Sequence, residues 1–208
     1  KEPRSATVNQ LKWIHTPGHI NYVKQVCESG GGYLDSDTPV CSESYNIALK
    51  SAGAWLDGVD EVIEGRSAFV LSRPPGHHAE SDRAMGFCLF SNAALAAAYA
   101  LKQDGINKVG IFDWDVHHGN GTENIFYHRN DVLYISIHQH NCYPVNSGSS
   151  YDNGLKDGKG YNININVPAG SGHAAYIYAF EEIVVEALES YKPEMIFVCC
   201  GFDSSGID

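Results

Sequence analysis

Fourteen residues, Val109–Thr122 (VGIFDWDVHHGNGT), carry the densest chemistry in the chain, with Asp113, Asp115, His117 and His118 inside six positions. Carboxylate and imidazole donors together suit zinc or another divalent cation. Side chains alternate along an extended segment, so Asp113, Asp115 and His117 share one side, and Asp115 and His117 can converge on one ion. The bland alternative is a polar strand end whose acids only cap turns, and two ligands do not by themselves make a site. Two other places offer matching groups. Arg73–His78 (RPPGHH) ends in adjacent histidines, His77 and His78, behind two prolines and a glycine. Histidine is the usual general acid and base near neutral pH. Asp203, in Gly201-Phe202-Asp203, supplies a third ligand and completes an Asp, His, Asp set with an open position for water. His15 and His19 read as turn residues rather than ligands, and Asp35 and Asp37 as solvated acids in a turn.

These groups need elements to hold them. Val109–Phe112 is an apolar run and reads as a buried strand that ends in the turn Gly119-Asn120-Gly121. Ala68–Ser72 (AFVLS) reads as a second buried strand, stopped by the prolines, with the histidine pair at its carboxyl end. Asp131–His138, Tyr161–Val167 and Met195–Cys200 are three more predicted strands. Helical spacing runs from Tyr45 to Trp55, and an Ala-rich helix from about Asn92, its cap, to Lys102. A last helix opens at Gly172 and His173, places Ile177, Phe180, Val184 and Leu188 on one face, and stops at Lys192-Pro193. Asn141–Lys159 is a long loop suited to a pocket rim. Alternating strands and helices predict a parallel α/β sheet, in which ligands bind beyond the carboxyl ends of the strands. The histidine pair, the Asp113–His118 cluster and Asp203 all follow predicted strands.

Composition narrows the classes. The chain has 208 residues, 43% hydrophobic and 19% charged, enough for one domain with a sizeable core. No apolar run approaches the length of a membrane span, and no secretory signal is recognisable. The first residue is Lys1 rather than Met, so the true N-terminus is expected upstream. A net charge of −11 argues against direct nucleic-acid binding and is compatible with cationic substrates. Six cysteines (Cys27, Cys41, Cys88, Cys142, Cys199, Cys200) show no Cys-x-x-Cys spacing. They point to a reducing compartment, the cytoplasm or, in a eukaryote, also the nucleus, while a disulfide stays open.

With these residues in place, the chain resembles the zinc-dependent histone deacetylase and acetylpolyamine amidohydrolase family. The matching segments are Arg73–Glu80 (RPPGHHAE), Gly86–Cys88 (GFC), Asp113–Thr122 (DWDVHHGNGT) and Gly201–Asp203 (GFD), in the family's order. Asn120 in HHGNG resembles the class II and bacterial branch. The resemblance implies an α/β fold of three layers, α/β/α, around a mainly parallel sheet of the arginase/deacetylase kind. It implies one zinc ion bound by Asp115, His117 and Asp203, with His78 as general base and acid and His77 as its electrostatic neighbour. Asp113 would orient His77, and Asn120 would stand where the partner of His78 usually is. Phe87 and Tyr143 would wall a narrow tunnel, Gly86 would offer its carbonyl to the substrate amide, and Asp37 would be the rim acid. A structural potassium ion would be held by Asp113, by the carbonyls of Asp115, His117 and Ile137, and by Ser136. His118 falls outside these roles, as a neighbour of the ligands.

The substrate class so implied is an acetylated lysine peptide or protein, or an acetylated polyamine; a homo-oligomer is compatible with the sequence. The family's catalytic tyrosine lies in a glycine-rich loop well downstream of GFD, and none of the twelve tyrosines here fits that motif. Residues 1–208 are therefore expected to form a single deacetylase-type catalytic domain that is incomplete at both ends and a poor catalyst alone. Two other readings compete. Arginase-like ureohydrolases share this kind of fold but use two manganese ions and need an acid two residues after His117, where this chain has Gly119. A non-catalytic paralogue would bind acetylated ligands without turnover.

Overall fold

Four strands that follow one another in the second half of the chain pair in parallel and carry the Asp113–His118 cluster. They are visible in a computed structural model that describes residues 2–206. The chain divides into two compact units that meet in sequence between Lys102 and Gln103.

The first unit holds helices α1 (Val8–Leu11), α2 (Pro17–Glu28), α3 (Ser44–Ile63) and α4 (Asn92–Ala100), and a short antiparallel pair, β1 (Gly32–Tyr33) and β2 (Pro39–Val40). Pro17 pre-sets the first turn of α2, and the Thr16 hydroxyl caps it by accepting from the His19 amide. The turn expected around His15 and His19 is thus a helix start, and both rings are buried. Along α3, Tyr45, Ala48, Ala52, Leu56 and Val59 recur every three or four residues and form its buried stripe. The helix is longer than the expected Tyr45–Trp55 core of it. α4 starts at Asn92, but Ser91 occupies the cap position. The Asn92 amide donates instead to the Ser51 hydroxyl (3.1 Å) and to the Pro74 carbonyl (3.1 Å), tying α3 and the Arg73–Gly76 turn to the start of α4.

One expected strand is not there. Ala68–Ser72 forms no regular element, and Phe69 and Leu71 are 71% and 88% exposed. A strand exists only where a neighbour completes its ladder, and among the described residues none pairs with this segment. Only its other side packs, with Ala68 and Val70 against Gly58 of α3.

The second unit is a four-stranded sheet in the order β5-β4-β3-β6, formed by β3 (Val109–Asp113), β4 (Val132–Gln139), β5 (Asn162–Val167) and β6 (Met195–Cys199). All three pairings are parallel. β3 lies between β4 and β6 and is buried at every position, as an uninterrupted apolar run requires. The expected Gly-Asn-Gly turn opens directly into α5 (Asn120–Phe126), which leads to β4. Beyond β5, α6 (His173–Ala179) passes through a π-helical turn, Phe180–Val185, into α7 (Glu186–Tyr191). The wider turn shifts the inward face. Ala179 and Val184, five residues apart, are buried in the core with Phe112, Leu133, Ile135 and Tyr191, whereas Ile177 stays largely exposed. Lys192 closes α7 in the left-handed conformation just before Pro193, where the sequence places the stop. No described helix is long and apolar enough to cross a membrane.

Candidate metal and catalytic site

β3 ends at Asp113, and the chain then bends instead of continuing extended, so strand alternation is not what aims the ligands. Two Asx-type bonds set the bend: Asp113 Oδ1 accepts from the Asp115 amide (3.2 Å), and Asp115 Oδ1 accepts from the His117 amide (2.8 Å). From the neighbouring strand β6, the chain turns through Gly201 to Asp203, whose Oδ1 accepts from the Val116 amide at 3.1 Å. His117 Nδ1 then stands 3.0 Å from Asp115 Oδ1 and 3.1 Å from Asp203 Oδ2. One ligand atom from each of Asp115, His117 and Asp203 lies within 4.8 Å of the others, the spacing of donors around a single cation. Hydrogen bonds accepted first by Asp115 and then by Asp203 push the His117 imidazole up to about 10. The two carboxylates thus favour a positive charge at the position where they would hold a metal.

Gly201 is needed for this approach. A Cβ there would stand 2.2 Å from Asp115 Oδ2 and 2.7 Å from Asp115 Cγ, so the carboxylate would have to move. Gly201→Ala is expected to leave the fold intact and weaken zinc binding by roughly 10–100-fold, as misorienting a ligand does. Competition with a chromophoric chelator measures this; unchanged affinity would mean that Asp115 is not a ligand.

Behind the trio, Asp113 is fully buried. Its Oδ2 accepts from the Tyr134 hydroxyl at 3.2 Å, and burial followed by Asp113 itself keeps that phenol protonated. Ser136 lies opposite Asp113 in the β3–β4 register, and Ile137 follows it. His138 is driven down to about 4, by burial and then by the neighbouring His118. It is therefore neutral, with Nε2 3.0 Å from the Gly148 carbonyl and 3.0 Å from the Asn166 amide nitrogen, and Nδ1 2.8 Å from the Ser136 hydroxyl. Tyr143 meets the His117 ring edge to face at 5.9 Å, and its carbonyl accepts from the His118 amide. Asn120 is buried at the first position of α5.

In the first unit, His77 and His78 are both buried, with ring centroids 3.9 Å apart. Asp37 Oδ1 accepts from the Gly86 amide (3.2 Å), and the Thr38 hydroxyl accepts from the Phe87 amide (3.2 Å). These bonds hold Gly86 and Phe87 at positive φ, +55° and +64°, and leave the Phe87 ring exposed. Asp37, Gly86 and Phe87 are thus brought together, although the Gly86 carbonyl accepts from the Cys88 thiol. His15 is driven down to about 3 by burial and then by His19; it donates to the Glu80 carbonyl and accepts from the Ser91 amide. It is a buried brace, where the sequence predicts a residue of a turn. No disulfide joins the cysteines.

Sequence reasoning passed over Thr38, Glu123, His138 and Ser147. The period of two in Asn162, Asn164 and Asn166 was the available signal for the last three, because those side chains share one side of β5.

The sequence profile of the histone deacetylase domain matches residues 1–208. A histone deacetylase-like amidohydrolase of Pseudomonas aeruginosa is 43% identical over 205 residues, 98% of this chain and 54% of that protein. The chain therefore spans about half the length of that relative. Among solved structures, the HD domain of HDA15 superposes with a TM-score of 0.92 at 38% identity, covering 99% of this chain and 60% of that one. An acetylpolyamine aminohydrolase from Burkholderia pseudomallei gives 0.92 at 29% identity, covering 99% and 69%. The α/β fold of deacetylase type expected from the motifs is the fold found. With its motifs in order and residues 1–208 matched by that domain's profile, the chain belongs to the histone deacetylase family.

Proposed function

We propose that this chain hydrolyses acetyl amides in a metal-dependent way, removing acetyl groups from lysine side chains or related acetylated amines. The observation that supports this most is the convergence of Asp115, His117 and Asp203 in a chain of this family. One imidazole and two carboxylates fit zinc in chemistry, number and charge. Zinc held by them would supply Lewis-acid activation of water and of the amide carbonyl. His78 takes the proton released as water adds to the carbonyl carbon. It returns that proton to the amine nitrogen as the C–N bond breaks, so amide and water become acetate and amine. Asp37, at the rim, accepts a peptide N–H of the substrate, while Phe87 and Tyr143 flank the acetylated chain. Potassium at Asp113, Ser136 and the carbonyls of Asp115, His117 and Ile137 would brace the ligand turn. The register favours this, because it sets the buried Ser136 hydroxyl opposite the buried Asp113 carboxylate.

Acetyl-lysine peptide is the substrate we favour, since Asp37 has a backbone amide to meet only there. An acetylated polyamine is the second reading, favoured by the likeness to the Burkholderia pseudomallei enzyme. Acetate release from a fluorogenic acetyl-lysine peptide and from an acetylated polyamine decides between them. The peptide is expected to give the higher kcat/KM, and Asp37→Ala to raise its KM more than that of the polyamine. Peptide binding without acetate release would support a non-catalytic role.

A further inference from the structure

Asn141–Lys159 has only one 3-10 turn, Lys156–Gly158, yet its backbone is received side chain by side chain. Three asparagines on one side of β5 donate to successive carbonyls of the loop: Asn162 to Asp152 (2.7 Å), Asn164 to Ser149 (3.2 Å) and Asn166 to Gly148 (2.7 Å). The other side of β5 packs Ile163, Ile165 and Val167 into the core, so this row is fixed in place. Asn162 and Asn164 also donate to Glu123 Oε2, each at 2.7 Å, and His118 Nε2 reaches the same oxygen at 3.1 Å. His118 in turn contacts the Ser147 hydroxyl through Nδ1 (2.6 Å), and its amide donates to the Tyr143 carbonyl (3.0 Å). Gly148, at φ +71°, lets the loop pass: a Cβ there would stand 2.4 Å from His138 Nε2 and 2.6 Å from His118 Cγ. Burial pushes the Glu123 carboxyl up, but the bonds from His118, Asn164 and Asn162 outweigh it and hold it below its ordinary range.

We propose that Glu123, His118 and the asparagine row of β5 form a clamp that positions residues 143–149, and with them the Tyr143 ring beside His117, for binding of the acetylated substrate. The inference rests on the function proposed above. Glu123 and Asn166 are positioning residues, acting through the loop and not on the substrate. Releasing either end lets the loop open and the Tyr143 wall drift, while Asp115, His117 and Asp203 keep their own anchors on β3 and β6.

Two measurements that need no turnover test it: amide hydrogen exchange over residues 143–152, and the Kd of a fluorescein-labelled acetyl-lysine peptide on the zinc-loaded protein. Glu123→Leu, and Asn166→Leu as the milder change should the first not fold, are expected to speed exchange in that segment. They should weaken peptide binding by roughly tenfold, the scale of one lost hydrogen bond. Zinc content should stay unchanged, and Glu123→Gln should recover most of the loss. Unchanged exchange, faster exchange with an unchanged Kd, or loss of zinc from these variants would each overturn the clamp. Failure of the parent protein itself to bind the peptide would instead count against the function on which the clamp rests, and exchange would still report whether the loop is held.

Discussion

Replacing His78 by alanine is expected to cut turnover by roughly 10²–10⁴-fold while zinc content stays unchanged, the loss typical of a positioned acid/base. The pair is held rigidly enough for such a role. Gly76, just before it, lies so close to α4 that a Cβ would stand 2.5 Å from the Asn92 amide nitrogen and 2.9 Å from the Phe90 carbonyl oxygen. The Pro74 carbonyl is tied to Asn92, and both imidazoles are buried. A proton carrier needs this fixed position more than it needs flexibility. Metal analysis alongside kinetics separates loss of proton transfer from loss of metal. Near-normal turnover in His78→Ala with turnover abolished in His77→Ala would reverse the two roles.

The second large effect is expected at Asp203. Alanine there would remove one of the three proposed ligands and also the acceptor that holds the Val116 amide, so the turn would lose an anchor and a charge together. The expected result is zinc content falling from near one equivalent to near none. Acetate release should fall with it to the level of the metal-stripped protein, and added zinc should not restore it. Asp203→Asn keeps an oxygen for the Val116 amide. If its metal content recovered fully, Asp203 would be an anchor of the turn and not a ligand.

What could be read in the sequence was whatever depends on near neighbours. Val109–Phe112 is apolar throughout and buried throughout, and Val132–His138 is buried throughout as well; Met195–Cys199 is legible as an apolar run although Ile196 and Val198 are exposed. The trio was legible too, because a buried parallel strand delivers its carboxyl end to a site whatever follows. Its aim was not: Asp115 and His117 converge through Asx bonds in a bend, whereas alternation along a strand gave the right pair for the wrong reason. Ala68–Ser72 failed because an apolar run does not say who pairs with it. Ile177 and Phe180 were misjudged because a single π turn moves the face, and nothing in that stretch marks it. In Asn162–Val167 alternation marks the strand but does not say what its polar side meets, and Asn162 and Asn164 are buried. They are buried because a loop without regular structure needs donors for its carbonyls. Glu123 carried no local signal, because its partners Asn162 and Asn164 lie 39 and 41 residues away.

The number and place of the metal ions test the assignment of Asp115, His117 and Asp203 most directly. Purified residues 1–208 analysed for zinc and manganese, beside Asp203→Ala, give the answer without any assay of turnover. One equivalent of zinc in the parent chain, lost in the variant, is the expected result. Two equivalents of manganese, or zinc retained in Asp203→Ala, would contradict it.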